Sequence, residues 1–221
     1  MKTKSENLFE QICKKRGISF QPIECGEDPT PDYRILLAET EVIVEIKQLD
    51  PNKEDKERYK QVFGEGKVVG FFSRAKHRVS GKIKHSGADQ LRNLAEGLHP
   101  SILVLFDNTC GFSCLDGYGI LTGMYGGEKI AFQMPDEPEN EPVMTGWYFG
   151  GKRQMTEGER QYISAVGLIR INIDNVPELD LYHNIFASLP LKPEIAISIA
   201  SRQYTLPQRN TEVFREWVEI A

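Results

Sequence analysis

No apolar run in the sequence is longer than Ile102–Phe106, far short of the roughly 20 residues that a membrane-spanning helix requires. No apolar stretch follows Met1-Lys2-Thr3-Lys4-Ser5-Glu6 either. The pattern of a secretory signal is therefore missing, and a cytoplasmic location with no membrane partner is expected. Cysteine is scarce. Cys13, Cys25, Cys110 and Cys114 are too few and too scattered for the disulfide framework of a small secreted domain. The close pair Cys110 and Cys114 has no second pair or neighbouring His to complete a zinc site, so free, buried thiols are expected. A glycine-rich loop ending in Gly-Lys-Ser/Thr, a Gly-x-Ser-x-Gly elbow and a dinucleotide fingerprint are all absent, which sets aside nucleotide-driven motors and serine hydrolases. What remains is an ordinary globular composition of 221 residues, 40% hydrophobic and 27% charged. With no repeat and no break in composition, a single domain over 1–221 is expected.

Lys and Arg number 27 against 32 Asp and Glu, a net charge of −5, which excludes a protein that is basic all over. The average conceals a local asymmetry. Between Gly66 and Ser86 stand Lys67, Arg74, Lys76, Arg78, Lys82 and Lys84 with His77 and His85, and no acidic residue. An acidic chain with one such stretch can still bind a polyanion through that face.

The element order is legible in the first half. Leu8 with Ile12 and Phe9 with Cys13 repeat at helical spacing after a Thr3 to Glu6 capping box, and Gly17 ends the helix. Ile18 to Glu24 reads as a short strand. Tyr33 to Ala38 and Val42 to Leu49 read as a hairpin. Asp50 to Phe63 reads as an exposed helix or excursion, Ser86 to Leu98 as a helix with Leu91, Leu94 and Ala95 on its apolar side, and Ser101 to Phe106 as a strand buried on both faces. Beyond Asp107 the reading is of a strand over Gly117 to Tyr125, a mobile acidic, proline-rich loop over 135–142, a strand over Ile163 to Ile173, and a terminal helix around Thr211 to Ile220. Asp107 suits a turn that ends a strand, and His183 a packed, hydrogen-bonded position.

Chemistry concentrates at Pro31-Asp32 and Glu45-Ile46-Lys47. Side chains two apart on a strand project to the same side, so Glu45 and Lys47 leave the sheet together while Val42, Val44 and Ile46 face the other way. The hairpin lays the strand beginning at Asp32 beside them, and Glu10 on the first helix is expected to bring a third carboxylate. Two carboxylates about 5 Å apart repel by roughly 3 kcal/mol at an effective dielectric of ~20. A bound cation offsets that cost. Hard oxygen ligands without His or Cys favour Mg²⁺ or Mn²⁺ over zinc.

Pro31-Asp32 and Glu45-Ile46-Lys47, set in the order helix, three strands, helix, strand over residues 4–108, resemble the PD-(D/E)xK nuclease superfamily. The resemblance implies an α/β fold with a restriction-endonuclease-like core, a central mixed β-sheet flanked by helices, and a C-terminal extension over 109–221. It also implies a Mg²⁺- or Mn²⁺-dependent endonuclease acting on DNA, with RNA an open alternative and a homodimer a natural arrangement for cutting both strands. Asp32, Glu45, the Ile46 carbonyl and Glu10 would hold the metal, and Lys47 would sit beside the attacking water. Gln90 loosely matches a polar residue that members carry on the helix before the fourth strand. The Gln-x-x-x-Tyr form of some branches is absent, since Leu94 follows at that spacing. Lys67, Arg74, Lys76, Arg78, Lys82 and Lys84 would line the approach of the nucleic-acid backbone. The rival readings are a catalytically inactive nucleic-acid-binding module of the same fold, and a subunit that docks protein partners.

Overall fold

The computed structural model describes residues 2–24, 26, 29–68, 75–84, 88–109, 115–135, 137, 139–207 and 217–220. Its centre is an eight-stranded mixed sheet covered by helices on both faces. Helix α1 (Lys4–Lys15) begins at Thr3 with both bonds of the capping box made, and Gly17, at φ +66°, turns the chain out of it. Three antiparallel strands follow: β1 (Ser19–Pro22), β2 (Tyr33–Leu37) and β3 (Thr40–Leu49). The β2–β3 turn is only Ala38-Glu39, both at positive φ, which matches the twist that a two-residue hairpin needs.

The chain leaves β3 through α2 (Lys53–Tyr59) and a π-helical turn (Lys60–Gly64), then α3 (Ala75–Lys82) and α4 (Ala88–Ala95), and returns as β4 (Ser101–Asp107) parallel to β3. Every β4 residue from Ser101 to Phe106 is buried, as expected of a strand covered on both faces. Helix α3 lies within the basic stretch, and its apolar contribution on the sheet side is Val79, followed just beyond its end by Ile83. With so few apolar positions the sequence gives it almost no helical period.

The C-terminal half continues the same sheet with β7 (Ala165–Ile171), β8 (Pro177–His183), β9 (Arg202–Thr205) and β10 (Val218–Glu219), giving the order β1-β2-β3-β4-β7-β8-β9-β10. A separate ribbon, β5 (Glu128–Gln133) with β6 (Val143–Phe149), brackets the acidic 135–142 segment. The short α6 (Pro193–Ala196) joins α1 on one face, where Phe9, Ile12, Val44, Ile46 and Val104 meet. On the other face α3, α4 and α5 (Gly117–Tyr125) cover Ile43, Leu103 and Leu105.

Residues 117–125 form helix α5 (Gly117–Tyr125), not the strand expected, opened by Asp116 capping the Gly119 N–H at 2.8 Å. Gly119 to Tyr125 are all buried, so no polar face breaks the run into a helical period. Gly123 allows the close approach of α3. A Cβ built there would lie 2.6 Å from the Val79 Cβ, a distance a rotamer change cannot relieve. Gly123→Ala is expected to cost roughly 1–3 kcal/mol through overpacking, read as a lower melting temperature, and Val79→Ala in the same chain should recover part of it. Were Gly123→Ala as stable as wild type, the close α3–α5 packing would be wrong.

Arg74, the pair Cys110 and Cys114, Cys25 and residues 208–216 lie outside the described residues, as does the side chain of Lys76. Cys13 is a buried free thiol, pushed up to about 12 by burial. Val218–Glu219 is extended and pairs with β9, so these two residues are not part of the helix expected around Thr211 to Ile220. Asp107 accepts from the Thr109 N–H and hydroxyl and the Leu115 N–H, and His183 is hydrogen-bonded to Gln203 at 2.9 Å.

Candidate active site

The pleat of β3 sends Ile43, Glu45 and Lys47 toward the α3–α4 layer and Val42, Val44 and Ile46 toward α1. Tyr33 pairs with Val44, which leaves Asp32 one step beyond the end of β2, opposite the middle of β3. Its N–H donates to the Val44 carbonyl at 3.1 Å, and its Oδ2 accepts the Ile46 N–H at 2.7 Å. The N–H and C=O of one strand residue point the same way. The Ile46 carbonyl therefore faces the same side as the Asp32 carboxyl group.

Glu45 is fully buried. Its carboxyl group lies within hydrogen-bonding reach of Asp32; protonated, Glu45 can donate to Asp32, and once both are ionised neither offers the other a donor. Neither Oε1 nor Oε2 accepts a hydrogen bond, and Oε1 has only an ion pair with the Lys47 ammonium. Burial first, and then the charge of Asp32, push Glu45 up to about 8. Burial likewise raises Asp32, against the Ile46 N–H and Lys47, which favour its ionised form.

Lys47 is itself held in place. Its ammonium donates to Gln90 Oε1 at 2.8 Å, and Gln90 Nε2 donates to the Thr30 carbonyl at 2.8 Å. Gln90, on α4, thus ties the lysine to the chain just before Asp32. Lys82 is half-buried and lowered from its ordinary value, first by burial and then by the Lys47 charge, against the opposing charge of Asp50.

Glu10 does not join this group by any contact it makes. Its Oε1 takes the Tyr33 hydroxyl at 2.9 Å and the Lys2 ammonium, and Lys14 lies 3.8 Å from Oε2. The helix acid felt at Asp32 is Glu6, one turn earlier, whose charge raises Asp32. Glu6 also closes the capping box through the Thr3 N–H and hydroxyl. Its signal in the sequence was that box, which reads as a structural role.

Among the basic residues, Arg78 is engaged inward, donating to Asp55 Oδ2 at 3.1 Å and to the Asp50 carbonyl. Lys67 is exposed and pairs with Glu65 at 2.8 Å, and Lys84 is exposed. The segment is therefore a brace as well as a cationic surface.

Among the described residues no group of three or more His, Cys, Asp or Glu side chains is gathered closely enough to hold a metal ion. The oxygen donors that do meet are Asp32, Glu45 and the Ile46 carbonyl. A buried carboxyl group with one ammonium beside it and an Oε2 that accepts no hydrogen bond, set against a second carboxyl group, fits a hard divalent cation, which satisfies acceptor-only groups. No helix among the described residues is long and apolar enough to cross a membrane. A scan against protein-family models finds no match, and searches of curated proteins and of solved structures likewise return none.

Proposed function

We propose that the chain is a Mg²⁺- or Mn²⁺-dependent endonuclease with a restriction-endonuclease-like core, hydrolysing phosphodiester bonds in DNA. The observation that carries this reading is Glu45: a fully buried carboxyl group whose only close polar partners are a second carboxyl group, Asp32, and the ammonium of Lys47. Keeping such a group buried is costly, and a bound cation would offset that cost. Asp32, Glu45 and the Ile46 carbonyl would hold the ion, with no fourth protein ligand required, because Mg²⁺ keeps several waters and takes substrate phosphate oxygens. Such an ion supplies positive charge at the scissile phosphate and acidifies water.

The chain's own residues do the remainder. Gln90 fixes the Lys47 ammonium so that it can orient the attacking water and offset the charge that builds on the phosphate. Lys82 adds a second positive charge to the same neighbourhood, and Lys84 and Lys67 meet the backbone farther out. Cutting both strands would call for two copies of the chain.

The test is nicking of supercoiled plasmid with Mg²⁺ or Mn²⁺ by the wild type and by Glu45→Ala. The wild type should cut only with the metal, and Glu45→Ala should fall by at least about 100-fold. Equal cutting by the two proteins, or cutting in EDTA, would show that the chemistry lies elsewhere.

A further inference from the structure

Helix α2 and the π-helical turn after it carry a surface that the chemistry above does not use. Asp55 is buried beneath α2, bonded to Arg78 and to the Asn52 cap, and this fixes which side of the helix faces in. Lys56, Tyr59, Lys60 and Phe63, spaced i, i+3, i+4 and i+7, share a side that borders Asp55, one turn before Tyr59. All four are exposed, Tyr59 at 49% and Phe63 at 67%, and the two rings touch with centroids 4.7 Å apart. The neighbouring flank is different in kind. There Lys53, Glu54, Glu57, Arg58 and Gln61 line a shallow groove of mixed charge.

A single exposed aromatic needs no explanation. Two in contact, flanked by lysines with no acid on their strip, do. The turn from Lys60 to Gly64 is π-helical, closed by the Glu65 N–H on the Lys60 carbonyl at 3.1 Å, and such turns concentrate at functional positions. The strip also runs directly into the basic stretch that begins at Lys67. The centres of protein–protein interfaces are depleted in lysine, whereas rings set among cations are the usual platform for unpaired bases.

We propose that the Lys56–Tyr59–Lys60–Phe63 side is a docking strip for a single-stranded segment of nucleic acid, its bases stacking on the two rings and its phosphates meeting the lysines. This deepens the nuclease reading and rests on it for the class of ligand. It implies a substrate with unpaired nucleotides beside the cut, such as a flap, an end or a displaced strand.

The experiment measures binding of the full chain, in EDTA so that nothing is cut, to a labelled oligothymidylate, a duplex of the same length and an abasic oligomer of the same charge. Tyr59→Ala/Phe63→Ala should weaken the oligothymidylate complex by about tenfold or more, with the duplex and the abasic oligomer changed by less than about threefold. Lys56→Ala/Lys60→Ala should instead flatten the dependence of log affinity on log salt by roughly 1.4, at about 0.7 per phosphate contact. Tyr59→Phe should bind as the wild type does. Should the double aromatic variant prove unstable, Phe63→Gln alone carries the same expectation at reduced size.

Equal losses on all three ligands, or none on oligothymidylate, overturn the proposal. The plasmid assay separates this from the nuclease reading. A chain that binds oligothymidylate through the rings and cuts nothing keeps the strip and loses the nuclease. One that cuts with metal and binds without the rings does the reverse.

Discussion

Glu45→Gln is expected to make the metal-free protein more stable than wild type at pH 8, by on the order of 4 kcal/mol. The sign follows from protonation. Folding raises Glu45 from 4.5 to about 8. Below pH 4.5 the carboxyl group is neutral in both the folded and the unfolded chain and contributes nothing to the difference. Between 4.5 and about 8 the unfolded chain releases the proton while the folded chain resists, so stability falls by about 1.4 kcal/mol per pH unit. Above that window both states are ionised and the loss levels off. Asp32, also raised, acts with the same sign, whereas Glu10 and Asp50 are lowered and contribute stability that is lost only toward acid.

Subtracting the Glu45→Gln curve removes the contributions of Glu10 and Asp50, which do not interact with Glu45, and leaves the Glu45–Asp32 pair. Gln also brings an amide that can donate to Asp32, which Glu45 in its ionised form cannot. Urea denaturation in EDTA from pH 5 to pH 8.5 should therefore give curves that diverge as pH rises. Mg²⁺ should raise the wild type at pH 8 and leave Glu45→Gln unmoved. Parallel curves would mean that the buried carboxyl group carries no such penalty.

Lys47→Ala should lower the rate of phosphodiester cleavage by about 10²- to 10⁴-fold, the usual range for a positioned group that moves or offsets a proton, while Mn²⁺ still binds. Lys47→Arg should not restore the rate, because a planar guanidinium cannot occupy the point position between Glu45 Oε1 and Gln90 Oε1. Gln90 acts only through the lysine. Gln90→Ala should therefore cost rate in the wild type and almost nothing in the Lys47→Ala background, and single-turnover rates for the four proteins of that cycle measure the coupling. Additive losses would detach Gln90 from Lys47 and give it a role of its own. A Lys47→Ala protein that cuts at the wild-type rate would remove the lysine from the chemistry altogether.

The parts of the molecule legible in the sequence are those where local and tertiary signals agree. Thr3 and Glu6 define the start of α1, and the alternation from Val42 to Lys47 sorts β3 into a core face and a charged face that the packing keeps. β4 is readable because it is apolar throughout and short. Helix α5 was not, because its glycines lower helical propensity and its complete burial leaves no polar side to mark a period. Helix α3 hides for the opposite reason: most of its surface is charged and only Val79 and the following Ile83 anchor it.

At the site, alternation along β3 is enough to group Glu45 with Lys47, and the hairpin is enough to bring Asp32. Which turn of α1 lies above them is not a local property. Glu6 and Glu10 are one turn apart and share a side, so only the docking of α1 on the sheet distinguishes them. That docking gives Glu10 to Tyr33 and Lys2. The hydrogen bond from Lys47 to Gln90 has the same character, since it joins residues 43 positions apart across a crossover whose path depends on the whole α3–α4 layer.

Since β4 runs between β3 and β7, its second edge is sealed by a strand that the ribosome makes only some sixty residues later. A fragment ending at Asp107 would hold Asp32, Glu45, Lys47 and Gln90 and still present a strand apolar from Ile102 to Phe106 with one row of peptide groups unpaired, an open invitation to edge-to-edge aggregation. The C-terminal half is thus less an accessory than the far wall of the sheet: the carboxyl groups and the lysine lie on one side of the seam, and β7 closes the other.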